Sequence, residues 1–265
     1  MQQIALPKKI NFEKGQNPNE SIITIEPLFP GYGMTLGNSI RRVLLSSLSG
    51  AAVVGIKIKG VDHEFMPLSH VKEDVLEIVL NLKKLRLKFH GDEEGEIRLK
   101  LSANKKGEVT AANIEKNSQV EVVNPELVIA NITDSAGTLD MEIFVQTGRG
   151  YSFAQNQEGK GEIGFIGVDP IFSPVLGVGI KVENVRVGKM TNWDKIVLDV
   201  KTDGSIEPKE AFAKSINILT EQVNALAQLL DPSQKQEETV EEVAVEEEVE
   251  EKKEKKEKKE TKKDK

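Results

Sequence analysis

Four short stretches of this chain hold residue types at spacings that could do chemistry. The run Gly31-Tyr32-Gly33-Met34-Thr35-Leu36-Gly37 puts three glycines where a strand hands over to a helix, a place where backbone amides can cradle a phosphate. A dinucleotide fingerprint reads G-x-G-x-x-G, and here the third glycine comes one residue late. Such a site also needs a second strand closing on an acid about 20 residues further on. The next strand-like run ends Lys57-Ile58-Lys59-Gly60 instead. A tight turn, followed by a helix on which Gly37 admits another backbone at close range, accounts for the glycines better. His63-Glu64 opens like a zinc-protease motif, but its second histidine would fall on Pro67, which would also stop the helix the motif requires. His70 and His90 stand alone, no serine sits in a G-x-S-x-G elbow, and Asp92-Glu93-Glu94 reads as a solvated turn rather than a magnesium cluster. No catalytic, cofactor-binding or metal-ligating set is expected.

The fourth stretch is Arg41-Arg42. Neighbours on a helix point about 100° apart, so if one lies at the edge of an apolar face the other projects outwards. An outward arginine suits a protein interface, because its planar fork binds carboxylates and carbonyls with little extra ordering. A solvated helix flank is the plainer alternative, and the residues alone favour it.

Three helices must position these groups. The first is expected from about Thr35, with Leu36, Ile40, Val43, Leu44 and Leu48 on one face and Gly50 as the C′ glycine. The second follows Ser69 as N-cap and aligns Val71, Val75, Ile78 and Leu82. The third starts at Pro208 and ends before Pro232. Its apolar residues Phe212, Ile216, Leu219, Val223, Leu226 and Leu230 are spaced 4, 3, 4, 3, 4, a narrow seam suited to one facing helix. Packing on the chain's own sheet is the alternative, and the polar residues Lys214, Glu221 and Asn224 favour self-association.

Strands are expected at 21–25, 53–59, 96–101, 119–123, 126–132, 138–147, 178–187 and 195–202, from period-two alternation and β-branched content. Short turns such as Thr202-Asp203-Gly204-Ser205 favour antiparallel pairing, with an all-β middle. The fold class is α+β.

Composition narrows the function classes. The chain has 265 residues, no cysteine and a net charge of −7. Disulfides and thiolate metal sites are excluded, consistent with a reducing compartment. The N-terminus lacks an apolar signal core, and no run approaches the ~18 apolar residues of a membrane span. An acidic chain does not suit a protein whose main task is gripping phosphate backbones. From Ser233 to Lys265 there are 10 basic and 13 acidic residues in 33 positions, Glu-rich and then Lys-rich. With few apolar residues to offset ordering entropy, 233–265 is expected to be a disordered tail.

The run from Pro27 to Leu48, PLFPGYGMTLGNSIRRVLLSSL, closely resembles the opening of the alpha subunit of bacterial-type DNA-directed RNA polymerase. The likeness continues in order through Gly60-Val61-Asp62-His63-Glu64-Phe65, Glu73-Asp74-Val75, Leu80-Asn81-Leu82-Lys83, Gly148-Arg149-Gly150-Tyr151, Ser173-Pro174-Val175, Arg186-Val187-Gly188 and Thr202-Asp203-Gly204-Ser205-Ile206. The resemblance implies a noncatalytic scaffold: a homodimer that nucleates assembly of the beta and beta-prime subunits, with omega and sigma in the complex. Nucleotidyl transfer then belongs to the complex and not to this chain, which needs no cofactor.

It further implies a discontinuous dimerisation subdomain, an antiparallel sheet with two helices, over 1–50 and 175–232, with an inserted, mostly β subdomain over 51–174. The first and last helices would build the dimer interface, from Leu36, Ile40, Phe212, Ile216, Leu219, Val223 and Leu226. The second arginine of the family's N-x-x-R-R block falls on Arg42, which with Leu45 and Lys83 would dock the beta subunit. Val168, Asp169, Ser173 and Pro174 would lie in the beta-prime contact region. Beyond it, Val175-Leu176-Gly177-Val178-Gly179 departs from the family in carrying glycines. The chain also runs into its charged tail where members continue into a DNA-binding domain, so any DNA contact is expected to be indirect or weak. The expected compartment is a bacterial cytoplasm, ahead of a plastid, with no membrane contact. Two other readings compete: a small-molecule-binding α+β enzyme using the Gly31–Gly37 turn, and a stand-alone nucleic-acid binder.

Overall fold

The computed structural model describes residues 4–91, 95–153 and 164–230. The charged tail from 233 and the run Asp92-Glu93-Glu94 lie outside the described residues. The fold is α+β, and every strand pair among the described residues is antiparallel.

The first sheet has four strands, drawn from both ends of the described sequence. Its order is β1 (Lys9–Lys14), β2 (Glu20–Leu28), β12 (Met190–Thr202) and β11 (Val175–Val187). Alternation is plain in the two central strands, where Ile23 and Ile25 of β2 and Ile196, Leu198 and Val200 of β12 are buried. Against β11 and β12 lies α1 (Tyr32–Ser46), which buries Gly33, Gly37, Ile40 and Leu44. Spaced 4, 3 and 4, these four form one helical stripe.

Two expectations for α1 fail at its ends. It begins at Tyr32, three residues before Thr35, because the Gly31 N-cap adopts φ 89°, a left-handed conformation open to glycine. It ends at Ser46, and Ser47 closes the last turn with its amide on Val43 O at 2.9 Å. Gly50 is therefore no C′ residue. It lies in β3 (Ser49–Ile58), where an added Cβ would run into the Phe172 carbonyl oxygen.

The second sheet runs β5 (Ile97–Ala103), β9 (Leu139–Arg149), β3, β4 (Leu87–Phe89) and β7 (Val120–Val122), with β10 (Phe165–Gly167) also on β3. A separate pair joins β6 (Gly107–Thr110) to β8 (Val128–Ile132). Over this sheet α2 (Val75–Leu82) buries Val75, Ile78, Val79 and Leu82 in a core shared with Ile56, Leu99, Ile129 and Ile143. Each such side chain contributes about 1.5–3 kcal/mol relative to exposure. The cap of α2 is Asp74, whose Oδ1 accepts from Glu77 N at 2.7 Å, and not Ser69. Val71 accordingly lies outside the helix and bridges to Ile132. Just ahead of the cap, both Glu73 oxygens hold Asn131, at 2.6 and 2.7 Å.

The turn at Thr202–Ser205 leads from β12 into a helix and does not join two strands. That helix, α3 (Pro208–Leu230), starts at the proline as its sequence predicts. The chain divides within α3, one unit ending at Ile216 and the next beginning at Asn217.

Candidate functional site

The Gly31–Gly37 turn already holds an anion, and it is internal. Asp194 Oδ2 accepts from Gly31 N and from Gly33 N, both at 2.9 Å. The amides that a phosphate would need are thus taken up by a carboxylate on β12. Beside them, the Phe29 ring meets Tyr32 and Trp193 edge-on at 6.2 and 6.0 Å. Gly37 admits the Ile180 side chain rather than a backbone. The three histidines are scattered: His90 Nε2 lies 2.9 Å from Glu121 Oε2, His63 Nδ1 accepts from Phe65 N at 3.3 Å, and His70 stands 4.0 Å from Asp134. Among the described residues no group of three or more His, Asp and Glu is placed to hold a metal. None of their helices is long and apolar enough to cross a membrane.

On the opposite flank of α1 the arginine pair is exposed, and among the described residues no carboxylate pairs with either. Leu45 is half-buried one turn on. Its carbonyl lies 3.3 Å from Ser173 Oγ, which stands equally close to Val175 O and can donate to one at a time. Lys83 caps the C-terminal end of α2 and reaches Asp169 Oδ2 at 3.9 Å. The sequence assigned Leu45 and Lys83 to one partner and Ser173 and Asp169 to another. The fold joins them pairwise on one protomer.

Around the Lys83–Asp169 pair lies an apolar rim that sequence reasoning missed. Tyr151 bridges to Ile171 and packs edge-on against Phe153 at 5.2 Å, and all three are exposed. Desolvation, then the charge and hydrogen bond of Asp169, hold the Tyr151 hydroxyl above its usual range. Tyr151 ends the run Gly148-Arg149-Gly150-Tyr151, but nothing local marks it as a neighbour of Asp169.

Burial sorts the remaining candidates. Val168 and Pro174 are buried within the chain, so their side chains present nothing to a partner. Ile40 is buried on the sheet side of α1, and Phe212 is buried with its ring 6.0 Å from Phe12. Leu36 is 37% exposed, Ile216 and Leu219 are half-buried, and Val223 and Leu226 are 61% and 62% exposed. The heptad seam is therefore core at its start and open at its end.

Comparison with known proteins identifies the family behind this geometry. Over 258 residues the chain is 46% identical to a DNA-directed RNA polymerase subunit alpha of Desulforamulus reducens, covering 93% of this chain and 81% of that protein. The chain belongs to the RNA polymerase alpha-subunit family. Another alpha subunit, from Carboxydothermus hydrogenoformans, is 53% identical over 206 residues, 77% of this chain and 65% of its own length. That of Macrococcus caseolyticus is 45% identical over 91% of this chain and 76% of its own. Residues 56–173 match a family model described as the RNA polymerase Rpb3/RpoA insert domain. In alpha-subunit terms, that range takes in α2, the second sheet from Ile56 onward and the Tyr151–Ile171 rim, while α1 and the four-stranded sheet lie outside it.

Proposed function

We propose that this chain is the noncatalytic assembly scaffold of a DNA-directed RNA polymerase. Two copies pair through α1 and α3, one docks the beta subunit, and the other docks beta-prime. The observation that carries the reading is the 46% identity over 93% of the chain to a polymerase alpha subunit. Exposed apolar residues at the end of α3 support pairing, since a solvated helix gains nothing from Val223, Leu226 and Leu229 unless something covers them. The pairing surface is drawn from Leu36, Leu219, Val223 and Leu226, with Ile40 and Phe212 supporting it from within.

Arg42 is the beta-docking residue best supported by geometry: exposed, unpaired among the described residues, and next to Leu45. Lys83 and Asp169 form one polar contact beside Tyr151 and Ile171. Two identical chains acquire different large-subunit partners only through the order of assembly. In this reading residues 1–50 and 175–232 form the dimerisation subdomain and 51–174 the insert. The scaffold works in the bacterial cytoplasm, and its contact with DNA is indirect. The test is purification of the tagged chain from its host, followed by identification of what accompanies it. Beta and beta-prime subunits in stoichiometric yield are expected; their absence would sink the proposal.

A further inference from the structure

The helix α1 has no cap of its own. Gly31 offers no side chain, and the first turn holds no acidic residue. The first amides of any helix lack partners within it, and that end carries a partial positive charge. Asp194, 163 positions away in sequence, supplies both the missing acceptor and the missing negative charge. The residue is almost fully buried, at 8% exposure. The pairing of β12 with β2 shifts register between Asp194 and Ile196, a local irregularity of the strand where this carboxylate meets the turn.

The same strands shape the seat of the helix. A Cβ at Gly33 would stand 2.8 Å from Val182 Cγ1 and 2.9 Å from Asp194 Oδ2, and one at Gly37 would collide with Ile180. Further along, the Leu45 carbonyl lies within reach of Ser173 Oγ. The helix is thus held by polar contacts at its first and last turns, and Arg42 lies between them on the exposed side. From Gly33 to Arg42 the rise is about 14 Å, so a tilt of roughly 10° at the first turn would move the arginine by about 2 Å. Planar, bidentate arginine contacts do not tolerate such a displacement.

We propose that Asp194 is a positioning residue for large-subunit docking: by fixing the first turn of α1 on the β11–β12 hairpin, it sets the height and rotation at which Arg42 meets its partner. The proposal rests on the docking role of Arg42 given above, and the experiment separates the two. Three variants of the full-length chain are compared with the native protein: Asp194→Asn, Gly33→Ala and Arg42→Ala. Asp194→Asn keeps shape and removes charge, while Gly33→Ala keeps the charge and crowds the turn against Val182 and the carboxylate. For each, capture of the beta subunit is titrated, dimer dissociation is measured by sedimentation, and amide hydrogen exchange is followed at residues 31–37. Weakening this pair of hydrogen bonds, by lost charge in one variant and by crowding in the other, should lower beta capture by about tenfold in both. Exchange at 31–37 should quicken, and beta capture should fall further than any fall in the dimeric or folded fraction. Unchanged capture in Asp194→Asn and Gly33→Ala overturns the proposal, and so does capture that falls only in step with the folded or dimeric fraction. Slow exchange at Gly31 and Gly33 in the native chain is required in any case, and open-loop rates there would end it even if a variant failed to fold. Normal capture by Arg42→Ala instead removes the docking role on which the proposal rests.

Discussion

At the scale of single residues, the charges that matter are those without an obvious partner. Arg42 is exposed and adds little to folding, so Arg42→Ala should leave stability within about 0.5 kcal/mol. Beta co-purification should be lost, and a variant that still captures beta would return Arg42 to a solvated helix flank. Asp199, on β12, poses the opposite case. Its Oδ1 is buried without a hydrogen-bond partner. Desolvation and then the Glu20 charge push its carboxyl above the ordinary value of 3.8, against the pull of Lys201. The folded chain therefore holds this proton more tightly than the unfolded chain does. Stability from this site falls as pH rises from the ordinary value through the raised one, and stays lost above it. Glu20 behaves in the reverse sense: the Lys201 ammonium, 2.9 Å away, lowers its carboxyl, and its contribution is lost as pH falls through that lowered value. Asp199→Asn should accordingly melt higher than the native chain at neutral pH. The gain should vanish by about pH 3, where aspartate is protonated in both states. Melting curves that coincide at every pH would show that Asp199 carries no such cost.

At the scale of elements, the third helix is the most exposed claim. Val223→Asp with Leu226→Asp would place charges in the open part of its seam, where neither side chain is buried in the protomer. The expected result is a monomer by sedimentation with an unchanged far-ultraviolet spectrum; a persistent dimer would move the interface elsewhere. Elements were legible in the sequence where pattern was local. The buried stripe of α2, the alternation of β5 and Pro208 at the start of α3 all follow from neighbouring residues. Helix ends were less legible, because their partners are remote. Nothing near Tyr32 announces Asp194, and Ser69 looks as good a cap as Asp74 until the chain turns at His70 with φ 63°. The short strands β4, β6 and β10 were missed for the same reason: three or four residues carry no period of their own and become strands through distant neighbours.

At the scale of the whole molecule, the resemblance carried more than the physics of any one residue could. Neither the pairing of Lys83 with Asp169 nor that of Leu45 with Ser173 is written in spacing, since each joins residues 86 or 128 positions apart in sequence. The heptad from Phe212 to Leu230 holds as a helical period but is silent on coverage: the same period spans a buried phenylalanine and an open leucine. For the pairing proposed above, that gradation would root one end of the helix in its own chain and leave the other for a partner.

The contact of Gly50 with the Phe172 carbonyl has a consequence for chain entropy. The strand that enters the second sheet and the segment that leaves it touch backbone to backbone, so everything between them is a loop whose mouth is already tied. Closing such a loop costs only about 0.6 kcal/mol more for each doubling of its length. Residues can therefore be added to or trimmed from the far turns of that sheet with little penalty to α1 and its four strands, so the size of the second sheet is free to drift while the mouth stays fixed.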